Sequence, residues 1–363
     1  MPVNISKQWH KSFNFSLIGC GRIGHCYATV LNDHPEMKLA SVVDINPEAA
    51  RAFGNSFRCF SYNSLDELLA AGNLPDCAII CTPPSNHAEI ACRLMENGIH
   101  ILCETPFALD SFSAEKMFAV SGAYGVSLMM GAKFRFVSDI IQAKGLIEAG
   151  ILGHVLEFEG DFRDVVTIND RWHMIPEISG GGVLIDSGAP VIDAVHYLFG
   201  PLYSIRAEES RRVKSKTVED TVCLEVMSES GVMGTVHLSW VLKNSGEDYF
   251  RIYGTHGNMS IGWKRSMYRP LCAGDWIHFS EGYSTQKALK LQLRHFINVI
   301  TGKEAPEIST HETLETVRVV ETAYQSLQSG KNMILNSRAS SVERNLSVIN
   351  SDNNSFPTWV FNR

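Results

Sequence analysis

Gly19-Cys20-Gly21-Arg22-Ile23-Gly24 lies between the apolar run Phe15 to Ile18 and a helical segment, Cys26 to Leu31, that stops before Pro35. Glycines at this spacing are common in turns, so the hexapeptide alone says little. Entered from a strand and left through a helix, it constrains the chain far more. Gly19 permits the tight turn, Gly21 lets backbone approach a ligand, and Gly24 allows close helix–strand contact. The helix then points its partial positive charge, through the N–H groups around Arg22 and Ile23, at whatever lies before it. Asp44 ends the next apolar run, 20 residues beyond Gly24, where a carboxylate meets ribose hydroxyls and repels a 2′-phosphate. The pattern predicts a dinucleotide site, with NAD favoured over NADP.

The rest of the first third fits that frame. Lys38 to Asp44, Cys77 to Cys81, Ile99 to Cys103 and Val126 to Met130 are apolar runs separated by helical segments. Asn46-Pro47-Glu48 and Ser64-x-x-Glu67 supply helix starts, the second as a capping box, and Gly98 a left-handed helix stop. Strands that are apolar throughout and alternate with helices predict a parallel, doubly wound Rossmann sheet covered on both faces. After about residue 150 the runs alternate polar and apolar (Val155 to Phe162, Thr221 to Met227, Met233 to Trp240, Phe250 to Tyr253), which predicts an α+β domain with a mostly antiparallel sheet. The expected division is 1–132 for the nucleotide domain, 133–336 for a substrate and oligomerisation domain, and 337–363 for a Ser/Asn-rich tail.

Composition excludes several classes of function. Lys and Arg number 32 against 39 Asp and Glu, a net charge of −7, which argues against a nucleic-acid partner. The one basic cluster, Arg211 to Lys216, reads as a solvated loop. No apolar run reaches the roughly 18 residues of a membrane span, and the first residues lack the apolar region of a signal peptide. Nine cysteines without paired spacing predict reduced thiols, no metal site, and a cytoplasmic protein.

Thr82-Pro83-Pro84-Ser85-Asn86-His87 and Glu104-Thr105-Pro106 are more specific. With Gly131, Arg135, Gly150-Ile151-Leu152-Gly153, Ser179-Gly180-Gly181-Gly182, Asp186-Ser187-Gly188, Val218-Glu219-Asp220, Ser239-Trp240 and Gly254-Thr255-His256-Gly257, they make the chain resemble the glucose–fructose oxidoreductase/inositol dehydrogenase/MocA (Gfo/Idh/MocA) family from about residue 14 to 335. The resemblance implies that the second sheet is open, and that one of its faces covers the substrate pocket and serves in homodimer or homotetramer contacts. It implies that Thr82, Pro83, His87 and Glu104 border or support the cofactor, His87 without doing chemistry, and that the Thr105–Pro106 bond is cis.

The departures matter as much. Where the family's E-K-P turn carries a lysine that assists proton transfer, this chain has Thr105. Where its D-x-x-x-H pair ends in a histidine, Asp186 is followed by Pro190. Threonine donates a hydrogen bond without charge, and proline does neither. General acid–base help is worth about 10² to 10⁴ in rate, so other groups have to supply it. Lys133, at the end of the strand Val126 to Met130, can return an ammonium to the site or be a snorkelling surface lysine. Asp186 is a substrate-hydroxyl acceptor or a helix cap. His173, beside Trp172, is an acid/base over the pocket or a packed ring. Asp193 and Arg135 fall at family positions facing the substrate, and His196 lies three residues beyond Asp193.

The expected activity is NAD(P)-dependent oxidation or reduction at a secondary alcohol or ketone of a sugar, aminosugar or cyclitol, with or without an attached nucleotide. The alternatives are a redox-neutral enzyme with tightly held NAD and a regulatory nucleotide-binding protein that has lost catalysis.

Overall fold

The computed structural model describes residues 12–167, 172–272 and 274–335, so the expected tail lies outside them. Six strands, β1 (Phe13–Ile18), β2 (Met37–Val43), β3 (Phe60–Tyr62), β4 (Cys77–Ile80), β5 (His100–Cys103) and β6 (Leu128–Met130), form one sheet in the order β3-β2-β1-β4-β5-β6. Every pairing is parallel. Helices α1 (Arg22–Asn32), α2 (Pro47–Phe57), α3 (Leu65–Ala70), α4 (His87–Glu96) and α5 (Ser111–Tyr124) make the crossovers. Phe15, Leu17 and all of β4 are buried, as strands covered on both faces must be. Chain order reverses between β1 and β4, and a crevice opens at the carboxyl ends of such strands.

The second sheet has nine strands, β7 (Val155–Arg163), β8 (Leu202–Glu209), β9 (Thr221–Ser228), β10 (Met233–Ser239), β11 (Asp248–Gly254), β12 (Gly257–Gly262), β13 (Ser266–Pro270), β14 (Ile277–Ser280) and β15 (Met333–Ile334). Their order is β14-β13-β12-β11-β7-β10-β9-β8-β15, and β7 with β10 is the parallel pair in an otherwise antiparallel sheet. Its open edges and alternating burial match the expectation. Five further α-helices lie among the described residues: α6 (Ser138–Glu148), α7 (Pro176–Ser179), α8 (Ala189–Phe199), α9 (Thr285–Ile300) and α10 (Thr310–Ser329). The stretch Pro176–Phe199 has the length and hydropathy of a membrane span, but 78% of its apolar window is buried inside the protein. It is a core element.

One local reading needs correction. Ser64 caps α3 by accepting from the Glu67 N–H, but the Glu67 carboxylate takes the N–H of Asn63, so the reciprocal box is displaced by one residue. The first core also takes in Leu289, Leu293, Phe296 and Ile297 of α9, Ile308, and Val317 of α10.

Candidate functional site

At the end of β1 the chain turns at Gly19 with φ +105°, and a Cβ there would lie 2.7 Å from the Cys81 carbonyl oxygen that ends β4. Gly24 is as confined, its Cβ position 2.5 Å from the Gly19 carbonyl oxygen. Gly21 differs: its backbone is extended and nothing lies within 4 Å of its Cβ position. The first two glycines answer to the fold, and the third leaves open space in front of a helix.

That helix starts without a side-chain cap, as α4, α6, α7 and α8 also do. Helices α2, α3, α5, α9 and α10 each start with a side-chain cap, from Asn46, Ser64, Asp110, Ser284 and Ser309. Helix α1 has no side-chain cap and no acid in its first turn, so the N–H groups of Arg22, Ile23 and Gly24 face the open space with the helix dipole behind them. Asp44 is fixed to the same loop, accepting from the Cys20 N–H at 2.8 Å and the Asn46 N–H at 2.9 Å. At the end of β4 the Thr82 hydroxyl is buried without a hydrogen-bond partner. An uncapped helix N-terminus with open space before it, an anchored carboxylate and an orphaned hydroxyl together fit a dinucleotide.

Pro83 leads into a short turn, Pro84–Asn86, which is held from behind. His87 sets one ring nitrogen 2.8 Å from the Thr82 carbonyl oxygen and the other 2.9 Å from that of Pro106. Burial pulls its pKa down against those carbonyls. Its two nitrogens tie the Thr82 loop to the Pro106 turn. The Thr105–Pro106 bond is cis.

Beneath the turn lies a group that sequence reasoning missed. The Tyr27 hydroxyl donates to the buried Glu104 carboxylate, which also accepts from the Thr105 N–H at 3.3 Å. The same hydroxyl lies 2.8 Å from the amide oxygen of Gln292 of α9, whose NH₂ is buried without a hydrogen-bond partner. Burial raises the Glu104 pKa, and the nearby Lys133 ammonium opposes the rise. Lys133 follows β6 at the carboxyl edge of the sheet, its ammonium over the Phe134 ring at 5.8 Å.

From the other domain, α7 packs against Pro84–Asn86 and against the turn Trp172–Met174, where Trp172 and His173 stack at 3.7 Å. The following glycines make their close approaches to the protein itself. Cβ positions at Gly180, Gly181 and Gly182 would fall 2.4 Å from Leu109, 1.9 Å from the Tyr324 hydroxyl and 1.9 Å from the Glu219 carbonyl. Glu219 accepts from the Gly182 N–H at 2.8 Å, the Leu184 N–H at 3.1 Å and the Tyr324 hydroxyl at 2.7 Å. The triple glycine sets the path to Asp186, which sits half-buried in a single π turn, Leu184–Gly188. Pro190 has no N–H to give the Asp186 carbonyl four residues earlier, and that is where the helical ladder changes period.

Asp193 and Arg135, expected at the substrate, are instead paired with each other in the interior. The Arg135 Nε and Nη2 donate to Asp193 at 3.0 and 2.8 Å, and both side chains are sealed from solvent. A buried carboxylate requires such a partner. Arg135 also donates to Glu312 at 2.8 Å. Burial works to raise the Glu312 pKa, but Ser309 and Arg135 outweigh it and hold it at about 2, below its ordinary value of 4.5. Its contribution to stability is therefore present above pH about 4.5 and lost as pH falls toward 2. Urea unfolding of wild type and Glu312→Gln is expected to differ at pH 7 and to converge at pH 2. His196 is half-buried with its Nε2 enclosed, and its pKa is lowered to about 4 by that burial and then by Arg135. It belongs with this interior pair.

A Rossmann sheet with an open phosphate cradle, covered at its carboxyl edge by a segment from a mixed α+β domain, defines a class of nicotinamide-linked oxidoreductases. The model of the oxidoreductase family with an NAD-binding Rossmann fold matches residues 13–132, and the Gfo/Idh/MocA C-terminal domain matches 140–260. The chain belongs to the Gfo/Idh/MocA family. It is 25% identical to D-apiose dehydrogenase of Paraburkholderia graminis over 360 residues, 90% of this chain and 91% of that enzyme. Over 190 residues it is 29% identical to inositol 2-dehydrogenase of Rhizobium meliloti, 51% of this chain and 54% of that enzyme. The crystal structure of GenD2 from gentamicin A biosynthesis, in complex with NAD, superposes with a TM-score of 0.80 at 21% identity, covering 93% of this chain and 100% of that one. That likeness concerns the fold.

Proposed function

We propose that the protein interconverts a secondary alcohol and the corresponding ketone on a sugar, aminosugar or cyclitol, using NAD in preference to NADP. The observation that carries this reading is the uncapped α1 helix facing open space at Gly21, with Lys133 and Thr105 at the adjoining sheet edge. A bound nicotinamide supplies the two-electron acceptor or donor. Gly19, Gly21 and Gly24 shape the cradle, and the N–H groups of Arg22 and Ile23 meet the phosphates. Asp44 takes the ribose, while Thr82 and Pro83 border the nicotinamide on a loop that His87 and Glu104 brace. The Lys133 ammonium and the Thr105 hydroxyl hold the reacting oxygen and stabilise charge on it. Asp186 accepts the proton that leaves the alcohol, and Trp172 and His173 exclude water. Residues 1–132 with α9 would then form the nucleotide half, and the outward face of the second sheet would serve self-association in a dimer or tetramer. Family membership favours this over the redox-neutral and regulatory alternatives.

Incubation with NAD or NADP against polyols, free sugars, aminosugars and nucleotide sugars tests the reading. Free reduced cofactor over many turnovers supports it, and silence across the panel with tight NAD binding overturns it. With the substrate so found, Lys133→Met is expected to lower kcat by about 10² to 10³ and leave NADH affinity unchanged. Unchanged turnover would remove Lys133 from the mechanism.

A further inference from the structure

Glu104 is the first residue beyond β5, and its buried carboxylate turns back to accept from the Thr105 N–H at 3.3 Å. The neighbouring strand makes the room. β5 and β6 pair at Cys103 and Met130, and a Cβ at Gly131 would lie 3.0 Å from Glu104 Oε1. The Gly131 N–H donates to the Cys103 carbonyl at 2.6 Å, and the Lys133 N–H to the Gly131 carbonyl at 2.8 Å. The backbones of Thr105 and Lys133 are thus tied to the same strand end, and the Glu104 carboxylate sits on it.

Tyr27 reaches that carboxylate from α1, the helix whose first N–H groups face open space. Among the described residues this is the one hydrogen bond between α1 and the Glu104–Pro106 turn. His87 holds the far side of the turn, at the Pro106 carbonyl. Tyr27, Glu104 and Gln292 are all buried, and the Gln292 NH₂ has no partner, so the joint carries a desolvation cost. Apolar side chains of similar size would pack α1, α9 and the turn together without it. What a hydroxyl on a carboxylate adds is one distance and one direction.

We propose that Tyr27 is a positioning residue for hydride transfer: through Glu104 it sets the Thr105 turn at a fixed distance from the helix that receives the dinucleotide, so that nicotinamide and reacting oxygen meet in register. An error of about 1 Å between reacting groups costs up to about 100-fold in rate. The hydride-transfer half of this inference rests on the function proposed above. The Tyr27 tie does not.

The test uses full-length Tyr27→Phe, Glu104→Gln, the double variant of both, and Gln292→Met, each shown by a thermal melt to be folded at the assay temperature. Without cofactor, hydrogen exchange at the Thr105 amide is expected to quicken about tenfold in Tyr27→Phe, with the β5 amides unchanged, because the carboxylate that accepts from it loses its anchor. Gln292→Met removes a buried polar group from the same place and leaves the tie, so its Thr105 exchange is expected to match wild type. With a substrate identified by turnover, Tyr27→Phe is expected to lower kcat about 10- to 100-fold, with KM and NADH affinity close to wild type. The deuterium isotope effect at the carbon that exchanges hydride is expected to rise with it, because hydride transfer becomes the slow step. Glu104→Gln, which keeps the shape and gives up the charge, is expected to move both readouts in the same direction. The double variant is expected to lose no more than the worse single one, since both act through one bond.

Unchanged Thr105 exchange in Tyr27→Phe overturns the tie, whether or not a substrate is known. Quickened exchange with unchanged kcat and isotope effect overturns the role in hydride transfer, as does an equal loss of kcat in Gln292→Met. Additive losses in the double variant overturn the route through Glu104. A panel silent for wild type counts against the function proposed above, and Thr105 exchange then decides the tie alone.

Discussion

Gly21→Val is expected to fold as well as wild type and to lose nicotinamide dinucleotide binding. Beyond its two chain neighbours, no heavy atom lies within 4 Å of the Cβ position, and the backbone there is extended, so the added carbons cost the fold almost nothing. They occupy the space in front of the uncapped α1 N–H groups. Keeping a pyrophosphate from even one or two of those charge-assisted bonds weakens affinity by about 100-fold or more. Fluorescence titration with NADH and a thermal melt check both halves. Gly24→Val is the contrasting variant: its side chain would meet the Gly19 carbonyl at 2.5 Å, so stability and binding fall together. Retained NADH affinity in Gly21→Val would mean that the dinucleotide sits elsewhere.

The second large effect is on stability. Asp193→Ala is expected to cost about 3–5 kcal/mol, because it leaves the Arg135 guanidinium buried with only its outer contacts to Glu312 and the Glu307 carbonyl. Arg135→Met combined with Asp193→Leu is expected to cost markedly less than the two single changes together, since neither charge then remains to be desolvated. Urea unfolding at pH 7 on the four proteins of the cycle measures this. Equal stability with lost turnover in Asp193→Ala would return the carboxylate to the substrate.

How far these features could be read in advance depended on the range of the interaction. The cofactor loop was legible because its cause is local: Gly19, Gly21 and Gly24 answer to one turn, and Asp44 is reached by a single strand of fixed length. The helix starts at Asn46 and Ser64 are local for the same reason. Arg135 and Asp193 were misplaced because sequence shows two charged residues but not the 58 positions of chain that fold to join them. Tyr27, Glu104 and Gln292 come from three distant elements, and nothing near Tyr27 distinguishes it from any other apolar-face aromatic. Its signal was the unpaired amide of Gln292, visible only once α9 was in place. Gly180 to Gly182 suggested room for a ligand, because a missing Cβ reads the same whether backbone or substrate comes close.

The return of α9 to the first sheet has a consequence for synthesis. Leu289, Leu293 and Phe296 are fully buried against a core whose other members all precede Lys133, apart from Ile297, Ile308 and Val317. On the ribosome, the dinucleotide-binding half therefore waits with one wall missing until strands β7 to β14 of the other sheet have been made. During that interval the apolar face of α1 and the Tyr27 hydroxyl are open to chaperones and proteases. A stalled or truncated chain would thus be recognised as faulty by the same surface that α9 later covers.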